Sequence, residues 1–182
     1  MPNRTHARSI QVIKKITEGI LAQFNIATLP IKIEEIAKKS GLYVTPYAFD
    51  DDISGVLVIE EKAATIGFNQ NESRVRRRFT IAHEYAHYCL HKEESSVFMD
   101  KGFHALFRSK QSGMTEDTQV LEREANTFAA YILMPHEQLK QEIDKIDFDL
   151  GSDDDIKNLA KIFDVSAQAM YYRILNSGLF RF

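Results

Sequence analysis

The sequence has a single cysteine, Cys89, in 182 residues. One thiol cannot build a disulfide framework, and it rules out any cysteine-rich zinc finger. A reducing cytoplasm is the expected location. Nor is there a membrane-length apolar run: no stretch approaches the roughly 18 residues that a span needs. The opening MPNRTHARSIQVIKKITEGI breaks its apolar positions with charges and threonine, so it lacks the apolar core of a signal peptide. Charge of one sign is also missing. Lys and Arg total 23 against 26 Asp and Glu, for a net charge of -3, which gives no general pull toward nucleic acid. Internal repeats and low-complexity tracts are absent. The nearest thing is the acid-rich stretch 142–155, expected to be a solvated loop between helices.

What is there describes an ordinary folded domain. Hydrophobic residues make up 44% and charged residues 27%, too apolar for disorder, and the chain can bury a sizeable core without disulfides. A single domain over 1–182 is expected. Its first part, 1–41, carries an amphipathic helix at 8–24, marked by Ile13, Ile16, Ile20 and Phe24, and a short helix at 32–40 ended by Gly41. Three β-rich runs at 42–47, 55–60 and 64–68 predict a small antiparallel three-stranded sheet within 42–70. Long helices at 72–91 and 117–133 dominate 72–134, the second stopped near Pro135. Between them, 92–115 is polar and irregular, with one candidate strand at 103–108. Helical pieces at 136–143, 153–163 and 166–176 fill 136–182. Strands in the middle with helices on both sides make the fold class α+β.

The chemistry concentrates in His83-Glu84-Tyr85-Ala86-His87. Two imidazoles at i and i+4 lie one helical turn apart on one face and can share a metal ion. The Glu after the first His is placed to act as general base toward an attacking water. On the same helix Phe79, Ala82, Ala86, Cys89 and Leu90 form an apolar arc next to the arc of His83, Glu84 and His87. A core face thus adjoins a chemical face, as it would on a helix that floors a cleft. Cys89, on the core arc, is expected to be a buried inert thiol.

Two histidines do not complete a zinc site. His91 extends the ladder, but it stands about 12 Å along the helix from His83, too far for both to reach one ion at about 2 Å. The Gly and His that a metzincin needs after the second His are replaced by Leu90 and Glu93. A carboxylate from the second long helix remains, and its candidates, Glu122 and Glu124, flank opposite edges of the stripe Leu121, Ala125, Phe128 and Ile132. Helical geometry alone does not choose between them. Asn126 lies one turn after Glu122 on the same edge, able to hydrogen-bond a ligand from behind, and this favours Glu122. Ala129 on that edge would let the two helices approach closely.

RRRFTIAHEYAHYCLH followed by LEREANTFAAYILMP resembles the ImmA/IrrE family of bacterial zinc metallopeptidases. The resemblance extends to ISGVLVIEEKAATIGFN, to Phe107-Arg108-Ser109 and to the ending LAKIFDVSAQAMYYRILNSGLF, covering most of 30–180. It implies a zincin-like metallopeptidase fold and Zn²⁺ held by His83, His87 and Glu122, with Glu84 as catalytic base. Family members are commonly tied to mobile elements or stress responses. They act with a helix-turn-helix repressor of the Xre type, which some cleave. The function so implied is a metalloendopeptidase that regulates transcription by cleaving or inactivating such a repressor. The alternative is a non-catalytic, zinc-stabilised interaction module that sequesters it.

Other features carry plainer expectations. His104, Tyr131 and His136 are near the motifs in sequence and could stabilise an oxyanion, though packing or surface roles are the ordinary ones. Arg74, Arg76, Arg77 and Arg78 read as a solvated helix face. The stretch 159–167 has a helix-turn-helix rhythm with Ser166 as N-cap. The acids at 153–155 would repel phosphates. Packing or protein docking, rather than direct DNA binding, is therefore expected of this tail.

Overall fold

Residue 46 is a proline, and a proline cannot donate to a sheet ladder, so its strand belongs at an edge. In the computed structural model, which describes residues 7–50, 52–101 and 115–179, strand β1 (Leu42–Tyr47) does stand at an edge. Strand β2 (Ile53–Ile59) turns at 60–63 into β3 (Ala64–Asn69), and Glu60 N–H donates to the Ala63 carbonyl within that turn. The order is β1-β3-β2-β4, where β4 is Val97–Lys101. β2 is antiparallel to both β3 and β4, whereas β1 runs parallel to β3 with Leu42 opposite Ala64.

The expected three-stranded antiparallel sheet is therefore corrected to a four-stranded mixed one. The cause lies in burial. β3 is the most deeply buried strand and takes the interior place between β1 and β2, so consecutive β1 and β2 never pair. The candidate strand at 103–108 lies outside the described residues.

Seven helices accompany the sheet among the described residues: α1 (Ile10–Gln23), α2 (Ile33–Lys39), α3 (Arg74–His91), α4 (Glu116–Leu133), α5 (His136–Ile143), α6 (Asp153–Phe163) and α7 (Ala167–Leu175). The two long ones begin at hydroxyl caps. Ser73 accepts from Arg76 N–H and Thr115 from Thr118 N–H, satisfying donors that a helix start leaves open. Glu116 and Asp117 add charge favourable to the start of α4. Helix α3 lies across β2, and α3 with α4 makes the most extensive helix–helix contact. Ala82 and Ala86 on one and Ala125 and Ala129 on the other are fully buried, and Tyr85 meets Phe128 edge to face at 5.9 Å between centroids.

Gly55 in β2 lies where α3 packs closely on the sheet. A Cβ there would collide with Thr80 Cγ2 and sit 3.4 Å from Glu84 Cγ. Thr80 is wholly buried and has little room to yield. Gly55→Ala is expected to cost about 1–3 kcal/mol of stability. Denaturant unfolding that gave the wild-type free energy would show that α3 can shift without penalty.

Arg74, Arg76 and Arg78 are ion-paired rather than simply solvated. Arg76 donates to Asp100 Oδ2 at 2.9 Å, tying β4 to the start of α3. Arg78 donates to the Asp164 carbonyl at 3.0 Å, and Arg74 pairs with the Asp164 carboxylate. Asp164 itself, at φ 55, makes the left-handed turn between α6 and α7, and Ser166 caps α7 by accepting from Ala169 N–H. Arg173 of α7 is buried, donates through Nε to the Met134 carbonyl and lies 4.0 Å above the Tyr131 ring. These contacts dock the C-terminal helices on the end of α4 and the start of α3. No helix among the described residues is long and apolar enough to cross a membrane.

Candidate metal centre

Helix α3 sets His83 and His87 one turn apart, and α4 crosses it so that Glu122 faces both. Glu122 Oε2 lies 3.2 Å from His83 Nε2, Glu122 Oε1 lies 3.4 Å from His87 Nε2, and the two Nε2 atoms are 3.1 Å apart. Ligand atoms about 2 Å from one tetrahedral ion are separated by about 3.3 Å. The three donors thus have the spacing that a single ion requires, and two imidazoles with a carboxylate suit zinc.

Both imidazoles are buried and held from behind. His83 Nδ1 is 3.1 Å from Asn126 Oδ1, and His87 Nδ1 is 3.0 Å from His91 Nδ1. Phe98 of β4 stacks on the His87 ring at 4.4 Å, fixing its plane. Glu124, the competing carboxylate, turns the other way: its Oε2 lies 3.0 Å from His91 Nε2, and it accepts from Arg8. His91, too distant to share an ion with His83, stands behind His87 instead. The i, i+4 ladder was the sequence signal for that. Arg8 and Phe98 left none, because each arrives from an element remote in the chain.

Electrostatics set Glu84 apart. It is wholly buried, and neither carboxyl oxygen has a well-formed hydrogen bond among the described residues, the Asp100 backbone giving only a weak contact. Burial, with Asp100 and Glu122 adding to it and His83 opposing, pushes its pKa up to about 8. A carboxyl buried with unused oxygens is costly. Glu122 behaves oppositely. Burial would raise its pKa, but the hydrogen bonds of His83 and His87 hold it well below the usual carboxylate range. Burial disfavours the charged form of His83 as well, yet the Glu122 hydrogen bond and neighbouring acids lift it to about 9, while burial leaves His87 below its ordinary value.

The other sequence candidates sit elsewhere. Tyr131 is under the Arg173 guanidinium, and His136 opens α5. His104 lies outside the described residues. Cys89 is half-buried rather than fully enclosed, and burial pushes its thiol up to about 12, the state of an unreactive cysteine.

Comparison with known proteins agrees with this architecture. A solved chain described as a Mycobacterium tuberculosis transcriptional regulator superposes with a TM-score of 0.63 at 14% identity, covering 93% of this chain. The match takes in 48% of that longer chain, so the present chain spans about half its length. No curated sequence matches. A family model does, over residues 37–175, taking in both long helices and the whole sheet: the chain belongs to the Peptidase_M78 family, described as the IrrE N-terminal-like domain.

Proposed function

We propose that the chain is a zinc-dependent metalloendopeptidase that regulates transcription by cleaving a helix-turn-helix repressor. The observation that carries this reading is the buried Glu84 carboxyl, without a well-formed hydrogen bond, next to three donors spaced for one ion. When bound, zinc would polarise the scissile carbonyl and make a water acidic enough to attack it near neutral pH. Glu84 takes the proton from that water and returns it to the leaving amine. His83, His87 and Glu122 hold the ion, and Asn126 orients His83. β4 bears on the substrate: among the described residues it pairs only with β2, and its Phe98 touches His87. An extended peptide added along its other edge would pass in front of the centre.

Membership in a peptidase family supports the reaction class, and the likeness in fold to a chain named as a transcriptional regulator fits a regulatory setting. A repressor substrate is the finer step. It rests on the resemblance of the two long-helix motifs to ImmA/IrrE proteins.

Metal content by elemental analysis is the direct test. The wild-type chain should carry about one zinc and Glu122→Ala markedly less, because two imidazoles alone make a weak site. Equal zinc in both would move the third ligand to another residue. No zinc in a wild type supplied with it would end the metallopeptidase reading.

A further inference from the structure

Zinc bound at Nε2 of a histidine requires the proton on Nδ1, and something must accept that proton's hydrogen bond. For His83 the acceptor is the amide oxygen of Asn126. For His87 it is another imidazole, and a histidine is an acceptor at one ring nitrogen only when its proton is on the other. The arrangement behind His87 supplies that condition. Glu124 Oε2 is 3.0 Å from His91 Nε2, and a carboxylate there calls for N–H at Nε2. His91 Nδ1 is then a bare acceptor, His87 Nδ1–H donates to it across 3.0 Å, and the lone pair on His87 Nε2 faces Glu122 and His83.

The chain continues to the protein's N-terminal segment. Arg8, two residues before α1, donates its backbone N–H to Glu124 Oε1 at 2.6 Å and its guanidinium to Oε2 at 2.8 Å. The same guanidinium donates to the Leu90 carbonyl at 2.7 Å, so one side chain clasps the last turn of α3 to α4. His91 and Glu124 are almost wholly buried, whereas the Arg8 side chain is 30% exposed. A carboxyl group this deep in the protein needs hydrogen-bond donors, and Arg8 and His91 supply them.

We propose that Arg8, Glu124 and His91 are positioning residues for the metal centre: a hydrogen-bonded relay that fixes the tautomer and ring orientation of His87. The N-terminal segment thereby becomes part of the site. This inference rests on the reading of His83, His87 and Glu122 as metal ligands, and it assigns Glu124 a task distinct from ligation.

The test is zinc affinity by chelator competition, with the absorption spectrum of the cobalt-substituted chain as a second readout. Wild type, His91→Phe, Glu124→Gln and Arg8→Met are compared, and the melting of each metal-free chain is recorded. His91→Phe keeps a ring of similar size but leaves the His87 N–H without an acceptor. Its zinc Kd should rise about 10–100-fold, with altered cobalt bands. Glu124→Gln retains an acceptor and should lose less. Arg8→Met, at the exposed end, should fold normally and still weaken zinc by several-fold, so the relay stays testable if His91→Phe does not fold. Wild-type zinc affinity and cobalt spectra in the variants, even with lowered melting, would overturn the relay and leave these residues purely structural. A wild type that binds neither metal would instead overturn the underlying metal centre, and the relay with it.

Discussion

Glu84→Gln is expected to slow peptide-bond hydrolysis by about 10²–10⁴-fold, the usual contribution of a positioned acid–base group, while zinc content stays at the wild-type level. Glutamine has the shape of glutamate but cannot take a proton from water. The substitution should not harm the fold, because the carboxyl it replaces is buried without a well-formed hydrogen bond at either oxygen and an amide needs no charge there. Cleavage of a quenched fluorescent peptide library, scored beside elemental analysis, separates the outcomes. Lost cleavage with zinc retained assigns Glu84 to the proton transfers. Undiminished cleavage would remove it from the mechanism. Undiminished repressor inactivation by a variant that cleaves nothing would favour an interaction module that works by binding alone.

The second large effect should come from Phe128, which is neither one of the donors nor Glu84. Its ring is wholly buried against Tyr85 where α3 and α4 meet. Truncation to alanine removes apolar contact and leaves a cavity, which together cost about 3–5 kcal/mol and should lower Tm by about 10 °C or more. The consequence reaches the metal centre. Glu122 belongs to α4 and His83 and His87 to α3, so donor spacings of 3.2 and 3.4 Å depend on how these helices seat. Phe128→Ala should therefore also weaken zinc binding, whereas Phe128→Leu should retain most of both properties. A calorimetric melt within about 2 °C of wild type would show that the interface collapses around the gap.

Local periodicity explains why the candidate site is partly legible in the sequence. The 3.6-residue repeat alone puts His83 and His87 on one face with Glu84 beside them, and the apolar stripes of 72–91 and 117–133 predict two packed helices. Capping chemistry is local too, as Ser166 illustrates. The sheet is different. Runs at 42–47, 55–60 and 64–68 mark strands, but a strand's sequence does not name its neighbour, and the expected antiparallel three-stranded sheet gives way to a mixed four-stranded one with β3 between β1 and β2. Pro46 was the readable hint that β1 is an edge.

The sequence by itself therefore determined most element types, with β4 the exception, together with the two-histidine face and the family resemblance, because each depends on residues a few positions apart. Tertiary structure decided the rest. Glu122 and Glu124 flank the same apolar stripe, and only the rotation of α4 against α3 turns one toward His83 and His87 and the other toward His91 and Arg8. Arg8 and Glu124 are 116 positions apart. Such a contact exists only once the core has closed, since burial and helix packing, not periodicity, bring those groups together.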